Sequence, residues 1–438
     1  MNTIEKYEIA DLVIKHALKK GADQAAVSID DSTSRRIEIR ERKIDRLQES
    51  IGNTLTVNLY VEKKYSSHST NLLKKEDLMK FVEGAIASTR YLSEDEFRYL
   101  PDKELYYKGG GQDLKILDMS INEVDPKIKI DLARNVEGEI YGSDDRIVSV
   151  SSIYEDNISN QVLVDSNGFK GDSGGSYAGL TAIVSLKGET GRPEDYDYDY
   201  NIFFDKLIKT GLGKMALEKA IKKLNPKKIV SGKYQMVVDK LVAPNLVRPF
   251  ISALYSSSLY QKNSFLIGKI NSKVASDKLS IIDDPHLLSG FGSRHFDSEG
   301  LNSVKRDIVE NGVLRNYYVG TYYGRKLDLQ PTTTTPSNVM FKTGDKDLNG
   351  LVKSLSKGVL VTGFNGGNCN GSTGDFSYGI EGFLIENGEI IHPVNEMNIS
   401  GNMNDFWDTL AAIGNDPNPY DNIMAPSLLF DKTDFSGL

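Results

Sequence analysis

A single cysteine, Cys369, stands in 438 residues. One thiol cannot make a disulfide within the chain, so the fold rests on packing, and the composition fits a reducing compartment. No segment approaches the roughly 18–20 consecutive apolar residues that a membrane-crossing helix requires. The opening stretch, MNTIEKYEIADLVIKHALKK, is charged throughout and lacks the apolar core of a secretory signal. A cytoplasmic location is therefore expected. An excess of basic charge is missing too: Lys and Arg number 53 against 61 Asp and Glu, for a net charge of -8. Phosphate backbones attract dense basic faces, which this chain does not offer. Its best cluster, Arg35, Arg36, Arg40, Arg42 and Lys43, is broken by Glu38 and Glu41 and reads as the solvated face of a hairpin. Neither nucleic acid nor membrane is expected as a partner.

What is present is ordinary globular material, 39% hydrophobic and 26% charged, long enough for two or three domains. Ala10, Val13, Ile14 and Ala17 form a helical stripe that Gly21 ends. Residues 25–61 alternate as half-buried strands, and 74–91 return to helix. Gly109–Gly111 marks a flexible connection. Asp125 and Pro126 are placed to cap and open a helix reaching Ile140. Strands are expected at 147–155, 161–165 and 177–187, with a turn at Asp165–Gly168. The acidic and aromatic run Glu194–Tyr200 is expected to be an exposed loop. Residues 202–224 read as a helix with Ile208, Leu212, Met215 and Ala216 on one face, stopped by Asn225-Pro226.

Beyond residue 230 strands and turns dominate. Asn311-Gly312 and Asn387-Gly388, each between apolar runs, signal hairpins. The expectation is an α+β chain: an N-terminal helix and sheet domain over 1–225, then a mostly antiparallel, barrel-like domain over 226–438. Short helices are expected near 245–257 and 404–412.

Four stretches carry a resemblance. They are SSLYQKNSFLIGKINSKVAS (257–276), IIDDPHLLSGFGSRHFDSEG (281–300), ENGVLRNYYVGTYYGRKL (310–327) and GFNGGNCNGSTGDFSYGIEGFLIENGEIIHPVNEMNISGNMND (363–405). Together they resemble the signature of the TldD/PmbA family, also called the modulator of DNA gyrase family. Looser agreement at 21–30, 66–78 and 165–168 extends the likeness over nearly the whole chain. One kind of member carries His-Glu-x-x-x-His on a helix and a C-terminal cysteine. These ligands hold a zinc ion whose bound water, with a pKa lowered toward ~7, attacks a peptide bond. The PmbA/TldE-like kind lacks the ligands and pairs with the first.

Here the corresponding window, PNLVRPFISALYSSS (244–258), contains neither His nor Glu, and the later segment NPYDNIMAPSLL (418–429) contains no Cys. Without donors a zinc site cannot be built. No catalytic residue, metal ligand or cofactor is expected in this chain, with zinc confined to a partner subunit. Pro249 also falls where a helix interior is expected, so the helix either begins near it or kinks.

The resemblance implies a non-catalytic subunit that pairs with a peptidase sibling in degrading unfolded peptides. Arg325, Asn365, Gly366, Gly367 and Asp375, inside the specific motifs, are the candidates for contact with peptide or partner. Arg325 and Asp375 could also pair with each other. The rival readings are a homo-oligomeric peptide or protein binder and an enzyme with an unconventional site. That site could be a metal among Asp283, Asp284, His286, His295, Asp297 and Glu299, or a nucleophile at Ser173 or Cys369. Ser173 lies in Gly-Asp-Ser-Gly-Gly, a serine-protease motif, but no upstream histidine has the right context, and a Gly/Ser hairpin turn explains it. His392 reads as a structural strand residue.

Overall fold

The computed structural model describes residues 1–437. The chain begins with α1 (Thr3–Lys19), closed at its start by a reciprocal bond pair between Asn2 and Glu5. Gly21, at a φ of +99°, turns the chain out of the helix. Three strands follow, β1 (Gln24–Arg40), β2 (Lys43–Val61) and β3 (Lys64–Thr70), then α2 (Lys75–Thr89). After a long irregular stretch comes α3 (Pro126–Gly138), with Asp125 accepting from the Lys127 N–H. β4 (Ile147–Asp165), β5 (Lys170–Leu186), β6 (Glu194–Asn201) and α4 (Leu212–Lys222) complete the first half.

These strands form one antiparallel sheet in the order β3-β2-β1-β4-β5-β6. Helices cover one face. Ala10, Val13, Val82 and Ile86 of α1 and α2 pack on Val27, Leu55, Leu59 and Val162. Ala133, Val136, Ala216 and Ala220 of α3 and α4 pack on Ile37, Tyr154, Leu180 and Val184. Under α3 the core admits charge. Buried Lys129 donates to Asp156 Oδ2 at 2.6 Å and to the Ile121 carbonyl at 2.8 Å, and Tyr154 donates to the same carboxylate at 2.8 Å. Arg35 reaches the other oxygen of Asp156 at 3.2 Å.

Three expectations for this half need correction. The segments 147–155 and 161–165 are one continuous strand, because the polar residues between them alternate without a break. Glu194–Tyr200 is strand β6, not a loop: its aspartates and tyrosines alternate, which is the period of a strand with two different faces. The helix expected over 202–224 spans only Leu212–Lys222, leaving Ile208 and Met215 exposed and burying Leu212, Ala216 and Ala220.

The second half holds β7 (Gly232–Val238), α5 (Pro244–Ser252), α6 (Ser256–Tyr260), β8 (Ile281–Asp283), β9 (Arg306–Glu310), β10 (Val313–Leu314), α7 (Thr321–Leu327) and β11 (Val339–Phe341). It continues with α8 (Leu348–Lys353), β12 (Lys357–Cys369), β13 (Asp375–Glu386), β14 (Glu389–Asn402), α9 (Met403–Phe406), β15 (Leu410–Ile413), β16 (Ile423–Met424) and β17 (Leu428–Ser436). The larger sheet runs β14-β13-β12-β7-β17-β15, and a further pairing of β14 with β17 closes it into a barrel-like body. The smaller runs β10-β9-β8-β11-β16. Two pairings, β7 with β12 and β11 with β16, are parallel, while the others are antiparallel. Both Asn-Gly turns are hairpins, with positive φ at both residues (47° and 77° at 311–312, 53° and 77° at 387–388). The core between α5, α9 and the barrel is aromatic: Phe406 stacks on Phe430 at 4.3 Å and Trp407 meets Phe250 at 5.5 Å. The expected 404–412 helix is α9 and a single tight turn over Trp407–Thr409, after which the chain enters β15. No helix among the described residues is long and apolar enough to cross a membrane.

The two halves are joined through α7. Arg325 donates to the carbonyls of Phe97, Tyr99 and Leu100 at 3.1, 2.6 and 2.8 Å and lies 3.3 Å above the Tyr99 ring. Lys326 and Tyr322 both reach Asp95 at 2.7 Å. Further along, Tyr107 stacks on His295, and Lys223, just past α4, bonds Glu381 of β13 at 2.6 Å.

Two outcomes are expected. Asp156→Asn leaves the Lys129 ammonium buried without its counter-charge, which costs about 3–5 kcal/mol. Urea unfolding should show that loss, whereas exposed Asp45→Asn should stay within about 0.5 kcal/mol of the parent. Arg325→Lys cannot span three carbonyls. Limited proteolysis in the 91–116 connection should accelerate at least about tenfold, since each lost charge-assisted bond contributes about 1.5–3 kcal/mol. An unchanged cleavage rate would mean that α7 does not hold the halves together.

Candidate functional site

The two segments in which the resemblance places zinc ligands meet in space. Helix α5 starts at Pro244, whose missing N–H costs nothing in a first turn. The helix therefore neither begins near Pro249 nor stops there; Pro249 lies inside it, and Ala253 still donates to the Pro249 carbonyl at 3.1 Å. Leu246, Val247, Phe250 and Ile251 face the core. The opposite stripe is Asn245, Arg248 and Ser252, all exposed. From this stripe Arg248 bonds Asp421, which sits in the 418–429 segment. The other oxygen of Asp421 accepts from the Ile423 N–H at 3.0 Å. The convergence thus holds one guanidinium and one carboxylate, already joined to each other. Among the described residues no group of three or more His, Cys, Asp or Glu side chains is arranged to hold a metal.

Beside this pair opens a cleft of about 420 Å³ between the uncovered face of the first sheet and the second half. Tyr177, Tyr200 and Glu155 form one wall, Phe291, Arg294, Tyr420 and Asp421 the other. Alternation along β6 puts Tyr196, Tyr198 and Tyr200 on this side. Asp195 and Asp197 point to α4, where they bond Lys223 at 2.9 Å and Lys219 at 2.5 Å. Tyr200 lies over Gly179, where a Cβ would collide with its ring. Tyr198 packs on Tyr420 at 5.1 Å. Burial raises the Tyr198, Tyr200 and Tyr420 hydroxyls well above their ordinary range, so the wall is uncharged. Glu155 is paired, accepting from Arg36 at 2.9 Å and Tyr200 at 2.6 Å, whereas Arg294 donates only to neutral groups, the Pro336 and Thr335 carbonyls and Thr333, and its buried Nε has no hydrogen-bond partner. This surface can hold a ligand by stacking and shape, but it presents no nucleophile with a base.

The motif residues do not form one site. Arg325 and Asp375 do not pair: Arg325 joins the halves, whereas Asp375 accepts from Thr373 at 2.7 Å and Asn402 at 2.9 Å. Asp375 thereby fixes the outer end of the β12–β13 hairpin. Gly366 and Gly367, at φ +77° and +104°, make a bulge where Gly367 lies against the Ser377 carbonyl, a space without room for a Cβ. Asn365 instead lines a separate cavity with Asn245 and Asp239. That cavity left no sequence signal, since its residues come from several separated elements.

The carboxylates of 283–299 are engaged individually, and the His286 ring lies against that of His295 at 5.5 Å. Asp283 accepts from the Ser337 N–H and hydroxyl, and Asp284 pairs with Lys305 at 2.8 Å. Asp297 takes N–H groups of Glu299, Leu301 and Thr334. Glu299 accepts from the Thr321 N–H at 2.9 Å and hydroxyl at 3.1 Å, and burial raises its carboxyl above the usual range. His295 bonds the Gln112 carbonyl at 2.8 Å, and His392 the Pro393 carbonyl at 2.9 Å. Burial pushes the Cys369 thiol up, with Asp375 adding to it, so the thiol stays protonated. The Gly171–Gly175 motif is not a hairpin turn. It lies within β5 paired to β4, and the turn is at Asp165–Phe169. His16 bonds Glu83 and His68 bonds Ser66, so neither serves Ser173.

Comparison with known proteins accounts for this architecture. Residues 231–437 match the PmbA/TldA metallopeptidase C-terminal domain, and residues 120–224 match its central domain. A crystal structure from Bacteroides thetaiotaomicron, described as a proposed modulator of DNA gyrase, superposes with a TM-score of 0.98 at 45% identity over 100% of both chains. The metalloprotease TldD homologue of Buchnera aphidicola is 26% identical over 238 residues, 50% of this chain and 49% of that one. The metalloprotease PmbA homologue of Haemophilus influenzae is 31% identical over 440 residues, covering 99% of this chain and 96% of that one. With both domains matched and relatives aligned from end to end, the chain belongs to the PmbA/TldD family.

Proposed function

We propose that this chain is the non-hydrolytic subunit of a cytoplasmic peptidase pair. A sibling subunit with His-Glu-x-x-x-His carries the zinc and cleaves unfolded peptides. The observation behind this reading is the Arg248–Asp421 pair. The segments that would bring ligands together in the peptidase kind still converge, yet they present a cation and a carboxylate that neutralise each other. A guanidinium is no zinc donor, and a lone occupied carboxylate falls short of the three protein ligands a catalytic zinc needs. The chain's own contribution is positioning: the tyrosine-walled cleft offers a surface against which an extended chain can be held while the sibling acts on it.

The test is to purify the tagged chain from its host and assay zinc and peptide cleavage in the eluate. A sibling bearing the motif is expected to co-elute and to account for all the zinc. Changing the sibling's motif Glu to Gln should lower cleavage at least about 100-fold. Ser173→Ala and Cys369→Ser in this chain should leave cleavage within about twofold. If the chain elutes without a sibling as a homo-oligomer, metal-free and inactive, the pairing is wrong. If it cleaves peptides alone and either substitution abolishes this, the chain is itself an enzyme.

A further inference from the structure

A cavity of about 400 Å³ lies where α4 and β6 of the first half meet the start of α5, α8, and strands β12–β14. It adjoins the tyrosine-walled surface facing Tyr420 at Tyr196, and takes none of its walls from Tyr198, Tyr200 or Tyr420. Val242, Leu360, Phe364 and Phe383 give it an apolar wall, and the rest of its lining is largely polar, with Asn245, Asn365, carboxylates and lysines. Of the lysines along it, two are already neutralised. Lys219 bonds Asp197 at 2.5 Å, and Lys223 bonds Asp195 at 2.9 Å and Glu381 at 2.6 Å. The third, Lys222, is exposed.

Asp239 is the exception. It follows the last residue of β7 and accepts the Leu241 N–H at 2.8 Å. Among the described residues it has no ion-pair partner within 4.0 Å. The charges around it, Lys219, Lys240 and Asp416, act from farther away, and burial raises its carboxyl above the usual range. Beside it, on the neighbouring strand, stands Thr362: the Asp239 N–H bonds the carbonyl of Val361, the residue before Thr362. The Thr362 hydroxyl is buried and has no hydrogen-bond partner. A carboxylate without a cation and an idle hydroxyl in one cavity are costly to keep dry, and a donor carrying positive charge relieves both.

We propose that this cavity binds a protonated primary amine bearing an apolar side chain, the amino terminus of a peptide. The ammonium donates to Asp239, to the Thr362 hydroxyl and to the Asn365 side-chain carbonyl, which matches its three N–H groups. The apolar side chain rests on Phe364 and Phe383. A carboxylate ligand is disfavoured, because it would stand beside Asp239, and Lys219 and Lys223 already hold carboxylates, leaving only the exposed Lys222. The inference deepens the peptide-handling reading and rests on it only for the source of the amine.

The test is calorimetric titration of the full chain alone with leucinamide, leucyl-glycyl-glycinamide and N-acetyl-leucinamide. Both free amines are expected to bind with Kd in about the millimolar range or tighter. The acetylated probe, which has the same side chain and no charge, should bind at least tenfold more weakly. Asp239→Asn should weaken leucinamide at least tenfold, and Thr362→Val severalfold. Equal binding of the acetylated probe overturns the proposal in the parent protein, whether or not a variant folds. So does the absence of any binding at about ten millimolar. Binding of leucinamide but not the tripeptide amide overturns the peptide terminus and leaves a free amine as the ligand. No sibling is present in this titration, so failure here does not touch the pairing, and failure of the pairing does not touch this site.

Discussion

The planar guanidinium of Arg325 and the three carbonyls it gathers from Phe97, Tyr99 and Leu100 fix how the halves of the molecule sit on each other. Backbone carbonyls in an irregular segment have no strand or helix to satisfy them, and an arginine fork serves several at once. The residues around it share the work: Lys326 and Tyr322 hold Asp95, and Arg98 lies 3.3 Å from the Tyr322 ring. The tyrosine-walled cleft and the Asp239 cavity both take walls from each half. Both recesses therefore depend on a contact that lines neither of them.

The family signature at 281–300 belongs to the same logic. A dense group of carboxylates and imidazoles invites a metal reading. Here each carboxylate is taken up by backbone N–H groups, hydroxyls or a lysine of a different loop. A carboxylate accepting several N–H groups stabilises irregular chain as a strand ladder stabilises regular chain. Asp297 does this for the turn through Leu301 and for Thr334. These residues are motif-like because loops without ladders need specific acceptors at specific places.

Much of the fold was legible in the sequence where one physical signal acted alone. The α1 stripe, the Asp125-Pro126 helix start and the two Asn-Gly hairpins are local, and each formed as expected. Errors came where two signals competed. In Glu194–Tyr200 high charge suggested a loop, yet the period of two was the stronger cue, because β6 turns its aspartates toward the lysines at the end of α4. In 202–208 the apolar spacing suggested α-helix, but Asp199 and Asp118 take the N–H groups of Ile208 and Phe204, and only a single tight turn forms over Phe204–Lys206. The convergence of 244–258 with 418–429 follows from the resemblance, whereas the Arg248–Asp421 bond inside it does not. The Asp239 cavity could not be read at all, since no spacing in the chain reports which distant elements will face one another.

An ion pair where the peptidase kind has zinc donors explains how a subunit of the proposed kind keeps its shape without a metal. A zinc ion bound by groups from two distant segments ties those segments together. Without the donors the segments would be free to part, unless another attraction joins the same two points. Arg248 and Asp421 supply one, from the outward stripe of α5 to the turn before β16, and parallel pairing of β16 with β11 holds that turn in register. A half-exposed pair of this kind contributes only modestly to stability. Its value is geometric: it keeps Tyr420 against Tyr198, and with it the wall of the cleft, in a chain whose two converging segments carry neither His nor Cys and whose one carboxylate is taken by Arg248.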